Sequence, residues 1–148
     1  MNLQECFLKL AGSEEHAAEL YEKFSKGCSE KLKPVALSFS MEEEKHKSYM
    51  LELSSNEKLK EKHLQEEIEV IFKSQADYLR MNDEILDITS EKDFFGFALN
   101  LEKNSVEIYT KLLEAFQTDS NEYKGFEALI KEERKHMLYI LNKLYELK

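Results

Sequence analysis

The chain has 148 residues, of which 34% are charged and 42% hydrophobic, and its formal net charge is −9. This length suits one domain, residues 1–148, with one core. The scattered lysines form no basic patch, which argues against a nucleic-acid partner. No apolar run reaches the roughly 18 residues of a transmembrane helix, and Glu5 and Lys9 interrupt any signal-peptide pattern. We therefore expect a cytoplasmic protein with no membrane partner.

The composition predicts an all-α protein, because Leu, Glu and Lys abound while there are only four glycines and one proline. Asn2 and Glu5 form a candidate capping box before the first helix, and Ser90 is a candidate cap for the third. Pro34 stands in the first turn of the second helix, where proline is tolerated. Helical periodicity marks four segments, from about Leu3 to Cys28, Lys33 to Ser54, Glu91 to Gln117 and Asn121 to Leu147.

The lengths of the connections predict how these helices pair. The first and third connections are short, so each flanking pair should form an antiparallel hairpin. Residues Ser55 to Thr89 lie between the hairpins and are too many for a turn. We interpret them as the long crossover of a four-helix bundle, with a helical stretch near Leu64 to Leu79.

The two predicted hairpins repeat each other. The first and third segments share a Glu-x6-Tyr spacing, and the second and fourth share Glu-x-x-His. This register predicts a pseudo-twofold axis that relates the hairpins. The repeated residues are Glu14, Tyr21, Glu43 and His46 in the first hairpin and Glu102, Tyr109, Glu133 and His136 in the second.

The repeated acids and histidines fall on the predicted core faces. Steps of three and four from Phe39 reach Glu43, then His46, so both interrupt an apolar stripe. Buried carboxylates cost several kcal/mol each unless they are paired or bind cations. Two divalent ions would balance four such carboxylates, and oxygen with imidazole ligation suits iron or manganese, and zinc less specifically. The alternative is a metal-free bundle with satisfied core histidines and surface glutamates.

The doubled motif resembles the ferritin-like diiron-carboxylate superfamily, and most of all the rubrerythrin family. The resemblance covers all four predicted helices. It implies two metal ions per chain, with iron expected and manganese or zinc as alternatives in a purified sample. It also implies that Glu43 and Glu133 bridge the ions, that Glu14 and Glu102 are terminal ligands, and that each motif histidine binds one ion.

The resemblance has further implications and some departures. It implies that Tyr21 and Tyr109 orient the ligands by hydrogen bonds. Rubrerythrins usually carry another glutamate three positions after the first on their third helix, where this chain has Ser105. We expect no rubredoxin domain of the kind that family carries, because Cys6 and Cys28 form no Cys-x-x-Cys pair.

Several functions are compatible with this pattern. The first is an oxidoreductase whose diiron site reduces hydrogen peroxide or dioxygen and is re-reduced by a separate electron-donor protein. The second is a ferroxidase that handles iron, and the third is a non-enzymatic bundle that binds metal or a partner. A hydroxylase acting on an organic substrate is a fourth. We expect a homodimer, and a cage-sized assembly would favour the iron-handling function.

Overall fold

A computed structural model describes residues 1–74 and 90–147. The described chain is all-helical, as predicted, and its only extended pairing is an isolated bridge between Asn2 and His63. Residues 66–74 are also helical and are called α3. The other elements are α1 (Leu3–Gly27), α2 (Lys33–Ser54), a 3₁₀ helix (Glu57–Glu61), α4 (Glu91–Leu113) and α5 (Asn121–Glu146).

Local capping fixes where these helices begin. The Asn2 side chain accepts a hydrogen bond from the Glu5 amide at 2.8 Å, and the Asn2 amide donates to Glu5 Oε2 at 3.2 Å. The predicted capping box is therefore confirmed. Ser90 Oγ accepts from the Asp93 amide at 3.0 Å and caps α4, also as predicted.

Helix α4 is shorter than the sequence predicted. It ends at Leu113, whereas the sequence predicted an end near Gln117. The Ala115 and Phe116 amides donate to carbonyls three residues earlier instead of four. This tighter winding ends the helix. Just after this helix end, the Phe116 ring stacks on the Phe126 ring of α5, with the ring centroids 6.0 Å apart.

The described residues fall into two compact units. The first comprises residues 1–65, in which α1 packs against α2 and against the 3₁₀ helix. Gln4 Nε2 donates to the Ser54 carbonyl at 2.8 Å, and Ser40 Oγ donates to the Ala18 carbonyl at 2.9 Å. These contacts run in opposite directions along the two helices, so α1 and α2 form the predicted antiparallel hairpin.

The second unit comprises residues 66–74 and 90–147, in which α4 packs against α5. Tyr109 lies 5.8 Å from Phe126 and Phe95 lies 6.3 Å from Tyr139, measured between ring centroids. This pair of helices is therefore antiparallel as well. The described part of the predicted crossover helix, residues 66–74, is confirmed, and the remainder to Leu79 lies outside the described residues.

Candidate metal centre

The core stripe predicted for α2 is confirmed by its burial. Glu43 and His46 lie inside it, one helical turn apart, with apolar residues on either side along the helix. The polar pair therefore faces the protein interior rather than solvent. All seven stripe residues are buried: Leu32, Ala36, Phe39, Glu43, His46, Met50 and Leu53.

The first unit brings one predicted ligand set together. Glu14 on α1 meets Glu43 and His46 on α2, and these residues are only 2, 4 and 2% exposed. His46 Nδ1 lies 3.9 Å from Glu14 Oε2 and 3.8 Å from Glu43 Oε2. Two ligand atoms that each lie about 2.1 Å from one ion are at most about 4.2 Å apart. These two spacings therefore fit the ligands of a single ion.

The second unit brings together the equivalent set. Glu102 on α4 and Glu133 on α5 are buried, and His136 on α5 is half-buried. One ligand atom from each of the three lies within 4.8 Å of the other two, as in the first unit. We call the two sets the α1–α2 triad and the α4–α5 triad.

Glu102 provides a direct test of whether a cation fits. Its Oε2 atom is buried and accepts no hydrogen bond from any residue in the described ranges 1–74 and 90–147. A buried carboxylate oxygen that lacks a donor costs folding free energy. A cation bound by Glu102, Glu133 and His136 would satisfy this oxygen, so the residues present fit a metal ion.

The two predicted supporting tyrosines lie deep in the core. Tyr21 and Tyr109 are both fully buried, and each follows its helix's glutamate by seven residues, two turns along the same face. Tyr21 packs edge-on against Phe39 with centroids 5.5 Å apart, whereas Tyr109 lies beside Phe126. Their role in orienting the ligands stays a prediction.

Two contacts between α1 and α2 near the α1–α2 triad were not predicted from the sequence. Ser40 Oγ bridges α2 to the Ala18 carbonyl of α1, one turn beyond Glu14. Lys47 Nζ pairs with Glu15 Oε1 at 3.2 Å, immediately beside the triad on the outer surface. Neither pairing could be predicted, because a lone serine or a lysine–glutamate pair is common on any helix.

Comparison with known protein families, with curated proteins and with solved structures finds no match to this chain. Function is therefore inferred from the residues of the chain itself. Each triad offers two carboxylates and one imidazole, a donor set that suits iron, manganese or zinc. Within the described ranges, no helix combines the length and apolar character that crossing a membrane requires.

Acidic residues beside the triads provide matched controls. Glu15, Glu19 and Glu107 are exposed and lie around the helix from the nearest ligand glutamate. We expect Glu19→Gln to keep the metal content of the parent protein when both are measured by elemental analysis. A clear drop in metal content would show that these helix faces are wrongly assigned.

Proposed function

We propose that the protein is a non-haem diiron oxidoreductase with a ferritin-like four-helix bundle as its single domain. Each triad would bind one iron ion. The pair would reduce hydrogen peroxide or dioxygen, and a separate electron-donor protein would restore it. The observation that carries this proposal is the duplication of a Glu, Glu and His cluster, once in each unit, with all four glutamates buried.

Charge balance supports one divalent cation in each triad. Each triad places two buried carboxylates beside an imidazole, and a buried charged carboxylate costs several kcal/mol unless it is paired or bound to a cation. One divalent ion offsets two carboxylate charges. Two ions would therefore neutralise the four core glutamates of the chain.

Each triad offers three side-chain ligands. Three side-chain ligands leave positions open on iron, and a carboxylate has two oxygens that can each bind a different ion. We propose that Glu43 and Glu133 act as such bridges and that Glu14 and Glu102 are terminal ligands. This assignment follows from the family resemblance and from the chemistry of carboxylates.

The residues around the ligands would prepare the site for a small oxidant. Bound iron would supply the two electrons that, with two protons, convert hydrogen peroxide to two molecules of water. Phe39, Met50 and Phe126 are buried apolar neighbours along the ligand helices, and they would exclude bulk water. Tyr21 and Tyr109 would hold the ligands in place by hydrogen bonds from their hydroxyl groups.

Iron handling is a second candidate function, favoured by one observation. His136 is half-buried, so an ion at the α4–α5 triad has a ligand in contact with solvent. A ferroxidase must take up Fe(II) and release the oxidised product. A partly exposed ligand would allow iron to enter and leave the site. Continued uptake and release of iron through repeated cycles would favour this function over peroxide or dioxygen reduction.

Metal analysis tests the proposal together with its ligands. We expect two ions per chain in the parent, and we expect His46→Ala or His136→Ala each to lose one ion more readily than the other. Because metal stabilises only the folded state that binds it, by about 2.7 kcal/mol at a hundredfold excess over Kd, each variant should lower the thermal stability of the loaded form only.

The outcome that contradicts the ligand assignment concerns the metal-free protein. If His46→Ala destabilises the metal-free and the loaded forms equally, the histidine is an ordinary core residue. Glu19→Gln serves as the control in the same thermal melts. A parent protein that binds fewer than two ions would contradict the two-metal proposal itself.

A further inference from the structure

The two triads differ in how far they are shielded from solvent. All three members of the α1–α2 triad are buried, and His46 is only 2% exposed. In the α4–α5 triad Glu133 is fully buried, but the histidine that completes it, His136, is half-buried. Two sets with the same ligand types therefore have different access to water.

Side-chain contacts join the two helices that carry each triad. Polar contacts join α1 to α2 near the first triad, from Ser40 to the Ala18 carbonyl and from Lys47 to Glu15. The ring contacts recorded between α4 and α5 pair Tyr109 with Phe126 and the partly exposed Tyr139 with Phe95. The first triad is therefore buried in a hairpin whose two helices are also joined by polar contacts.

Exposure of a ligand matters because metal exchange begins when one ligand leaves the ion. A histidine in contact with water can swing away while water or a chelator takes its place on the metal. A histidine buried among apolar side chains cannot leave without opening the hairpin, and such an opening costs the packing of the core. The triad whose histidine is more exposed to solvent should therefore lose its metal ion faster.

We propose that the chain holds its two ions unequally, with the α4–α5 triad as the exchangeable position and the α1–α2 triad as the retained one. Divalent metal enters and leaves on the His136 side. This inference rests on the proposed two-metal site. It adds which of the two positions exchanges its metal ion. It assigns the control of metal exchange to the partial exposure of one histidine, His136.

Metal release from the Co(II)-loaded protein tests this inequality without any measurement of activity. The protein is loaded with two Co(II) ions per chain and mixed with excess chelator, and the loss of cobalt absorbance is followed in time. We expect two phases of one ion each, with rates that differ by at least about tenfold, equivalent to 1.4 kcal/mol in barrier.

Matched substitutions assign the two phases. His136→Gln should abolish the fast phase and keep the slow one, and His46→Gln should do the reverse. Both variants are checked for folding by circular dichroism without metal, and Glu19→Gln is the unchanged control. In the parent, the imidazole N–H proton of His136 should exchange with deuterated water faster than that of His46 in paramagnetic NMR spectra, a readout that needs no variant.

The outcomes separate this inference from the proposed function. Two ions released in a single phase, or a fast phase lost in His46→Gln, would overturn the inequality while leaving the two-metal site intact. Equal exchange of the two imidazole protons would overturn it as well. Binding of fewer than two Co(II) ions by the parent would instead contradict the proposed function, and the inference with it.

Discussion

Glu43→Ala and Glu133→Ala are each expected to remove both metal ions, reducing the metal content from two ions per chain towards none. The reason is that a bridging carboxylate would serve both ions, so its loss removes one ligand from each ion. Elemental analysis of protein reconstituted with Fe(II) under anaerobic conditions measures the effect. The loss of metal should also remove the stabilisation that loading gives to the parent.

Terminal ligands provide the matched comparison for these bridging variants. Glu14→Ala and Glu102→Ala should each lose one ion, because each residue is expected to serve a single ion. Glu43→Gln keeps the volume of the side chain while removing its charge, which separates loss of ligation from the cavity that alanine would leave. If bridging and terminal variants lose the same amount of metal, the assignment of Glu43 and Glu133 as bridges is wrong.

The diferrous protein is expected to react with both hydrogen peroxide and dioxygen, with a rate ratio below about a hundredfold, or roughly 2.7 kcal/mol in barrier. Ser105 is the reason. It is buried on α4 one turn after Glu102, where rubrerythrins usually carry another glutamate. A serine side chain is short and neutral, so it supplies neither a further carboxylate ligand nor a carboxylate proton shuttle. Stopped-flow oxidation with each oxidant measures the ratio.

Substitutions at Ser105 test the cause of this weak selectivity. Ser105→Glu should shift the preference towards peroxide, whereas Ser105→Ala should leave the ratio unchanged. The alternative is that Ser105 is simply a small residue that lets helices pack closely. A parent protein that prefers peroxide by more than a hundredfold would remove Ser105 as the explanation and leave a plain rubrerythrin-like peroxidase.

Helical periodicity correctly predicted which face of α2 is buried, because buried residues recur every three or four positions along a helix. Glu43 and His46 share the stripe of Phe39 and Met50, and the structure buries all four. The capping box of α1 was predictable for a similar reason, since it depends on residues close together in sequence. Both features follow from local geometry that a single helix already determines.

Features that depend on tertiary contacts could not be predicted in the same way. The early end of α4 accompanies the stacking of Phe116 on Phe126, two residues that belong to different elements. The greater exposure of His136 could not be predicted either. His136 follows Glu133 at the same spacing as His46 follows Glu43, so the sequence pattern gives the two histidines the same expected burial. Periodicity gives the face of a helix on which a residue lies, and the depth of burial depends on what covers that face.

The position of the bound metal tests the central proposal most directly. Crystals of protein reconstituted with Fe(II) would be measured on both sides of the iron absorption edge. The proposal predicts two anomalous peaks per chain, about 3.5–4 Å apart, with Glu14, Glu43 and His46 around one and Glu102, Glu133 and His136 around the other. A single peak, peaks remote from these residues, or Glu43, His46, Glu133 and His136 directed into solvent would contradict it.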